Sequence, residues 1–413
     1  MLRTKIALGL IYFLFAVLLN SVGTAILQSQ ASFLIGKKDA AILEAFKDLP
    51  IAITSFLVAA QLPRWGYRRS MIVGLSLLGL VCMALPFVPG FWSVKLLFAA
   101  CGIAFAVIKI GVYSSIGLLT NGAKEHASLL SWIEGGFMIG VLSGYFLFAA
   151  FIDNANPAST HWLRAYAVLG AASLIIALFL CFCPMDESAA RQARDDGHMM
   201  RSFGAMMALI VKPVTYVFVL CLFFYVLIEQ GVGTWLPTFN KEVLGLNAAM
   251  SVQATSLFAA SIALGRILSG FVLRVLSWPV FLGLCIAAMA AIIALTLPLT
   301  PDHKVDVQSW QAAPLVVFLF PFIGFFMSPI YPTLSSAVLS ASPKNTHAGM
   351  TGLIVIFSAL GGTTGSFIIG RLFDALDGKT AFYCVLIPIA VLAFLVWNLS
   401  RLHAKSAPEG AAR

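Results

Sequence analysis

Four carboxylates, Glu44, Asp48, Glu134 and Glu229, interrupt the otherwise apolar stretches of this 413-residue chain, alongside Lys47, Lys109 and Arg266. A charged side chain at membrane depth costs a few kcal/mol or more and is retained where it has a partner or a task. Glu229 lies in the middle of its stretch and is followed by Gln230-Gly231-x-Gly233-Thr234. Burial disfavours a carboxylate's charged form, which makes Glu229 a candidate for taking up and releasing a proton. Lys109 falls about ten residues from one end of its stretch, roughly 15 Å at 1.5 Å per residue. From that depth an ammonium does not readily snorkel to the headgroups. Glu134, six residues into the next stretch, is within its reach, and two readings stand: a structural ion pair, or a pair bordering a polar path and exchanging partners with substrate or proton. Glu44 and Lys47 are expected at the outer headgroups. Asp48, before Leu49-Pro50, is either interfacial or a third proton-coupling group. Arg266 is expected near the cytoplasmic end of its stretch, as a gating residue or an interface anchor. Asn20, Gln28, Tyr113, Ser114, Tyr225, Gln230, Tyr331 and Thr333 are uncharged candidates for lining a substrate path.

These residues sit on twelve stretches long enough to span a bilayer as helices, each needing about 20 apolar residues. They cover 6–28, 41–62, 70–89, 94–119, 128–151, 164–184, 214–237, 249–274, 278–299, 312–339, 348–372 and 380–400. With 60% hydrophobic and 10% charged residues, the chain excludes a soluble multidomain protein, for which about 25% charged is usual. Placing the amino terminus in the cytoplasm puts fifteen Lys and Arg on that side, Arg64, Arg68 and Arg69 among them, against eight outside. That asymmetry predicts both termini inside. The net charge of +9 is thus a topology signal, and no nucleic-acid partner is expected. The basic opening Met-Leu-Arg-Thr-Lys resembles a signal peptide's first region, but the apolar run after it lacks a small-residue cleavage site and reads as the first span. All eight tryptophans fall at or near predicted helix ends, where their rings suit the headgroup level.

No phosphate-binding loop, zinc-peptidase or nucleophile-elbow pattern occurs, so neither ATP-driven pumping nor an enzyme is expected. The seven cysteines fall in apolar spans without metal-type spacing, and the six histidines in loops or tails, so neither metal nor cofactor is expected. The longest break, 185–213, separates six spans from six. The predicted organisation is a first bundle over 1–184, a cytoplasmic linker over 185–213, a second bundle over 214–400 and a tail over 401–413. Internal echoes support two pseudo-symmetric halves. Span 5 carries Gly136, Gly140 and Gly144, and span 11, its equivalent, carries Gly361 and Gly365. Small residues at that spacing let helix backbones approach closely.

This layout resembles the major facilitator superfamily, which implies an all-α membrane fold of twelve helices in two six-helix bundles around a central cavity. The turn after span 2 resembles that superfamily's Gly-x-x-x-Asp-Arg-x-Gly-Arg-Arg loop. Arg64, Gly66, Arg68 and Arg69 match, while Pro63 replaces the Asp, which puts the associated gating latch in doubt. A narrower resemblance is to the fucose:proton symporters. It rests on Phe13 through Asn20 with Gln28-x-Gln30 in span 1, Tyr225-Val226-x-x-Glu229-x-x-x-Gly233-x-Trp235 in span 7, Met327-Ser328-Pro329-Ile330-Tyr331-Pro332-Thr333 in span 10, and Gly361-Gly362 through Asp374 in span 11. That family's acidic residue in the first helix is Gly23 here, and its Glu in the fourth is Lys109. With these departures neither proton coupling nor sugar specificity is simply inherited. The resemblance in spans 7, 10 and 11 implies uptake with protons, and Lys109 favours an anionic solute such as a sugar acid or organic carboxylate over a neutral hexose.

The expectation is thus a monomeric secondary transporter in a bacterial inner membrane, with substrate contacts at Lys109, Asn20, Gln28, Tyr113, Tyr225, Gln230 and Tyr331. Proton coupling would fall to Glu229, Glu134 and Asp48, and gating to Arg64, Arg68, Arg69 and Arg266. The alternative is a proton-driven exporter of drugs, lipids or metabolites, suggested by the span-5 glycines, which resemble the antiporters' motif with Val141 in place of its Pro. A transporter-shaped sensor that moves nothing is a third reading.

Overall fold

A computed structural model describes residues 2–58, 61–120, 123–185, 187, 204, 207–301, 306–341 and 347–406. Most of these residues are helical, as a chain in hydrocarbon requires. Without water to satisfy its N–H and C=O groups, a spanning segment must close its hydrogen bonds internally. Among the described residues the only β pairing is a single bridge between Leu246 and Val307. The chain divides into two compact units, Met1–Asp196 with Asn247–Ser256, and Gly197–Leu246 with Leu257–Arg413.

In the first unit, span 1 is broken into Leu2–Leu19 and Val22–Phe33. The break follows from its side chains: Asn20 donates to the Ala16 carbonyl at 2.8 Å and Ser21 to that of Leu18 at 2.7 Å. Short polar side chains that bond local carbonyls compete with the helix ladder. Spans 3 to 6 are the helices Tyr67–Ala84, Phe91–Leu118, Ala123–Ala150 and Leu163–Cys181. Span 2, Ile42–Val58, has 17 residues and carries Glu44, Lys47 and Asp48. Eleven other described helices are long and apolar enough to cross a membrane.

In the second unit, spans 7 to 9 are Pro213–Glu242, Ala248–Val272 and Trp278–Thr296; the first turns of span 8 group with the first unit. Span 10 is segmented into Val316–Leu319, Phe320–Phe322, Ile323–Met327 and Ile330–Ala341. Pro321, Pro329 and Pro332 account for the interruptions, since each removes a backbone donor. Span 11 is His347–Ala375, and the last span comprises Gly378–Tyr383 and Leu386–Ser406.

The glycine echo is a packing device used in both units. A Cβ on Gly140 would sit 2.6 Å from the Phe13 carbonyl, and one on Gly144 3.3 Å from Val17, so span 5 lies backbone to backbone on span 1. In the second unit a Cβ on Gly361 would collide with the Phe223 carbonyl and one on Gly365 with that of Leu227, which seats span 11 on span 7 in the same way. Gly136, the third predicted member of the stripe, faces no neighbour within 4 Å.

Two expectations about the membrane interface are corrected. Trp162 and Trp235 are buried core side chains, at 1% and 0% exposure, and not headgroup anchors. Glu44 and Lys47 are likewise buried, with Glu44 at 0% exposure, and pair with one another inside the unit. The reason is close packing: Gly102 of span 4 leaves room for the Lys47 carbonyl, which draws span 2 against span 4 and covers its charges.

Candidate functional site

Each unit carries a pair of contacting tyrosines beside a glutamate and a basic side chain. In the first unit Tyr12 of span 1 meets Tyr113 of span 4, their ring centroids 5.9 Å apart. Phe105 and Phe137 flank Tyr12 at 6.3 and 5.8 Å, and Phe15 packs on Phe105 at 5.6 Å. Tyr113 donates its hydroxyl proton to Glu134 Oε1 of span 5 at 2.5 Å. Lys109, one turn before Tyr113, places its Nζ 5.9 Å from the centre of the Phe105 ring.

The anticipated Lys109–Glu134 ion pair is not formed. Among the described residues no carboxylate comes within ion-pairing distance of Lys109, and the nearer partner of Glu134 is a phenol. The two charges still act on one another through space. Lys109 is exposed at the surface of its unit, Tyr113 is 38% exposed and Glu134 half-buried. An ammonium without an ion partner, beside a phenol and a carboxylate that share a hydrogen bond, can accept an anionic group and leave the carboxylate available for a proton.

In the second unit Tyr225 of span 7 meets Tyr331 of span 10 at 5.8 Å. Tyr225 donates to Glu229 Oε1 at 2.9 Å, a bond one helical turn long. Tyr225 is 1% exposed, while Glu229 and Tyr331 are half-buried. The Arg266 charge, on span 8, reaches both phenols and lies in the same electrostatic neighbourhood as Glu229. Arg266 is itself exposed, and its expected gating role stands beside this long-range influence on the phenols.

The remaining expected residues separate into groups. Gln230 is half-buried and accepts from Thr234 Oγ1 at 3.3 Å, while Thr333 is buried beyond Tyr331. Asn20 spends an amide proton on its own helix, and Gln28 is buried at 4% exposure. Asp48 makes its charged contact on its own helix. It belongs to a triad in which Lys47 bonds Glu44 closely and meets Asp48 Oδ1 at 3.4 Å. Two carboxylates share one ammonium there, and the Lys47 charge also reaches Tyr145 of span 5. Arg68 is occupied within its own unit. Its guanidinium donates to the Leu180 carbonyl at 3.1 Å and to that of Cys181, and its backbone N–H to Glu187 at 2.7 Å. Arg69 is exposed, and the Arg64 side chain lies outside the described residues.

The span-7 motif divides by face. Tyr225 and Glu229 lie on the polar face, while Trp235 anchors the helix, donating Nε1–H to the Ser366 carbonyl at 2.9 Å and stacking on Phe373 at 5.4 Å. Sequence reasoning passed over Tyr12. The glycine register contained the signal: matching Phe13 and Val17 with Phe223 and Leu227 sets Phe15 against Tyr225 and puts Tyr12 one turn earlier on the same face.

Two helical units of spanning segments, each bearing a polar cluster, define a multi-pass membrane transporter scaffold. The sequence profile described as "Major Facilitator Superfamily" matches residues 8–366, and the chain belongs to that superfamily. It is a membrane transporter and not an enzyme. A curated relative, "MFS transporter asaE" of Aspergillus flavus, is 29% identical over 166 residues, which span 39% of this chain and 35% of that protein. The fold is similar to the inward-facing, unoccupied bacterial homologue of the human lysosomal transporter Spinster, with a TM-score of 0.73, 14% identity and 99% of each chain covered. It is also similar to the inward-open xylose transporter XylE of E. coli (TM-score 0.73, 12% identity, 99% and 97% covered). The outward-facing transporter FucP is similar at a TM-score of 0.61, with 15% identity and 96% and 98% covered.

Proposed function

We propose that this transporter takes up a small organic anion, a sugar acid or a carboxylate, together with protons, by alternating access. The observation that carries the reading is Lys109, an exposed ammonium on a membrane-spanning helix with no ion-paired carboxylate, one turn from the Tyr113–Glu134 hydrogen bond. An unpaired cation there favours a solute that brings the opposite charge. Glu134 and Glu229, each hydrogen-bonded by a phenol, are the proton carriers in this reading, and Arg266 serves the second unit as Lys109 serves the first. Asp48, held by Lys47, contributes a third titratable carboxylate. The basic loop around Arg68 and Arg69 gates the cytoplasmic side, and the protein works as a monomer in a bacterial inner membrane with both termini inside.

The span-5 glycines lend the exporter reading little. Gly140 and Gly144 pack span 5 on span 1, and Gly361 and Gly365 do the same for span 11 on span 7, so they describe helix packing in both units.

Uptake of radiolabelled sugar acids and carboxylates into proteoliposomes, with and without an inward proton gradient, tests the proposal. Hydrogen bonds to charged groups contribute about 1.5–3 kcal/mol. Lys109→Ala is therefore expected to weaken apparent affinity by roughly ten- to a hundredfold and Lys109→Arg by much less. Accumulation indifferent to the gradient would remove the proton coupling. Unchanged affinity in Lys109→Ala would remove the anion assignment.

A further inference from the structure

The two adjacent arginines after span 2 do different work. Arg68 is consumed by the carboxyl end of span 6, whereas Arg69 makes no hydrogen bond or ion pair among the described residues and stands at the mouth of a groove. That groove, about 430 Å³, runs between spans 3 and 4. Trp65, 57% exposed, shares its open end with Arg69 and Ser70, and beyond them the lining is apolar, including Leu77, Val81 and Ile103. Gly74 forms part of its floor: a Cβ there would meet only the Ala104 carbonyl, at 4.0 Å.

We propose that this groove binds one anionic phospholipid, its phosphate on Arg69 and one acyl chain along spans 3 and 4. Length and charge together choose the occupant. From Arg69 to Val81 is twelve residues, about 18 Å of helix, close to the roughly 15 Å depth of one leaflet in a hydrocarbon core about 30 Å thick. A solute small enough to be carried would leave most of that length empty. The cation sits at the end where a headgroup lies, next to an indole of the kind that favours the interface. A guanidinium matches a phosphate oxygen pair in geometry as well as charge. A zwitterionic lipid would bring its own cation to Arg69, so the site selects for net negative charge.

Native mass spectrometry of the delipidated full-length protein, titrated with phosphatidylglycerol, phosphatidylethanolamine and phosphatidylcholine of identical chains, tests this. One phosphatidylglycerol per chain is expected to survive detergent removal preferentially. A basic residue at an anionic surface contributes on a scale that translates to about a fivefold change in affinity. Arg69→Gln should therefore lower phosphatidylglycerol retention about fivefold and bring it to the phosphatidylcholine level. Gly74→Leu, which fills the groove where space is free, should reduce retention of all three lipids. Excess glycerol phosphate should not displace the lipid, since it lacks the chain that fills the groove. Equal retention of the three lipids by the native protein would overturn the proposal, and so would phosphatidylglycerol retention unmoved by Arg69→Gln. Retention unmoved by Gly74→Leu would place the lipid elsewhere and overturn it equally.

Discussion

The two units solve one problem with different hydrogen bonds. In the first, the phenol and the carboxylate sit on different helices, Tyr113 on span 4 and Glu134 on span 5. In the second, Tyr225 and Glu229 are four residues apart on span 7. A bond between helices is made or lost when they shift against each other, while a bond within one turn persists through rigid-body motion. Exposure follows the same division, with Tyr113 38% exposed and Tyr225 1%. Under the function proposed above, the first cluster would sense solute and the second would hold a proton in a fixed setting. What the units share is the frame beneath: an inner helix, 1 or 7, clasped by a glycine-bearing helix, 5 or 11.

Breaking that frame has the largest expected effect. Gly365→Val puts side-chain carbon into the Leu227 backbone, which cannot yield as a side chain can. Overpacking a well-packed site costs about 1–3 kcal/mol and more where backbone must move. The variant is expected to lose its monodisperse peak in size-exclusion chromatography. Gly136→Val adds the same atoms where no neighbour lies within 4 Å and should elute as the native protein does. If both variants behave alike, the frame is not what holds span 11 to span 7.

The difference between the phenols makes a second, smaller test. The Tyr225 hydroxyl is buried, so removing it leaves Glu229 short of a hydrogen bond that water does not readily replace, and losing a bond to a charged group costs about 1.5–3 kcal/mol. Removing that of Tyr113 leaves a partly exposed carboxylate that water can reach, at a cost of about 1 kcal/mol or less. Thermal unfolding in one detergent should thus fall further for Tyr225→Phe than for Tyr113→Phe. The reverse order would mean that Tyr113 is the structural phenol and Tyr225 the adaptable one.

Features carried by a single helix were legible in the sequence, and features made between helices were much less so. The spans follow from apolar length, and Tyr225 and Glu229 stand together in the span-7 pattern that resembles the symporters'. The glycine pairs were visible as a stripe, although only contact with Phe13 and Val17 shows why Gly140 and Gly144 matter and Gly136 does not. Lys109 and Glu134 were close enough in the topology to suggest an ion pair. Which partner Glu134 takes depends on side-chain directions, and Tyr113 is the closer donor. Glu44, Lys47 and Asp48 occupy neighbouring helical positions, but their burial depends on span 4 approaching at Gly102, fifty-odd residues along the chain. That the Arg266 charge acts on Tyr225 and Tyr331 is likewise a matter of how spans 7, 8 and 10 pack, which no spacing within span 8 encodes.

The smallest effect belongs to the second unit's loop, where the start of the last span is capped by a side chain outside the membrane segments. Asp377 accepts from the Thr380 backbone N–H at 2.9 Å and from its hydroxyl at 2.6 Å. Those bonds, the hydroxyl's first, hold the Asp377 carboxyl below its ordinary range. A carboxylate with a depressed value in the folded state stabilises it above the unfolded value, about 3.9, and that contribution fades as pH falls through the folded value. Asp377→Ala should lower stability by about 0.5–1 kcal/mol at neutral pH, the lower half of the usual range for losing such a cap because the site is exposed. The gap between variant and native protein should narrow only below about pH 4. A gap that is constant down to pH 3, or one that widens on acidification, would show that Asp377 does not cap this helix as a carboxylate.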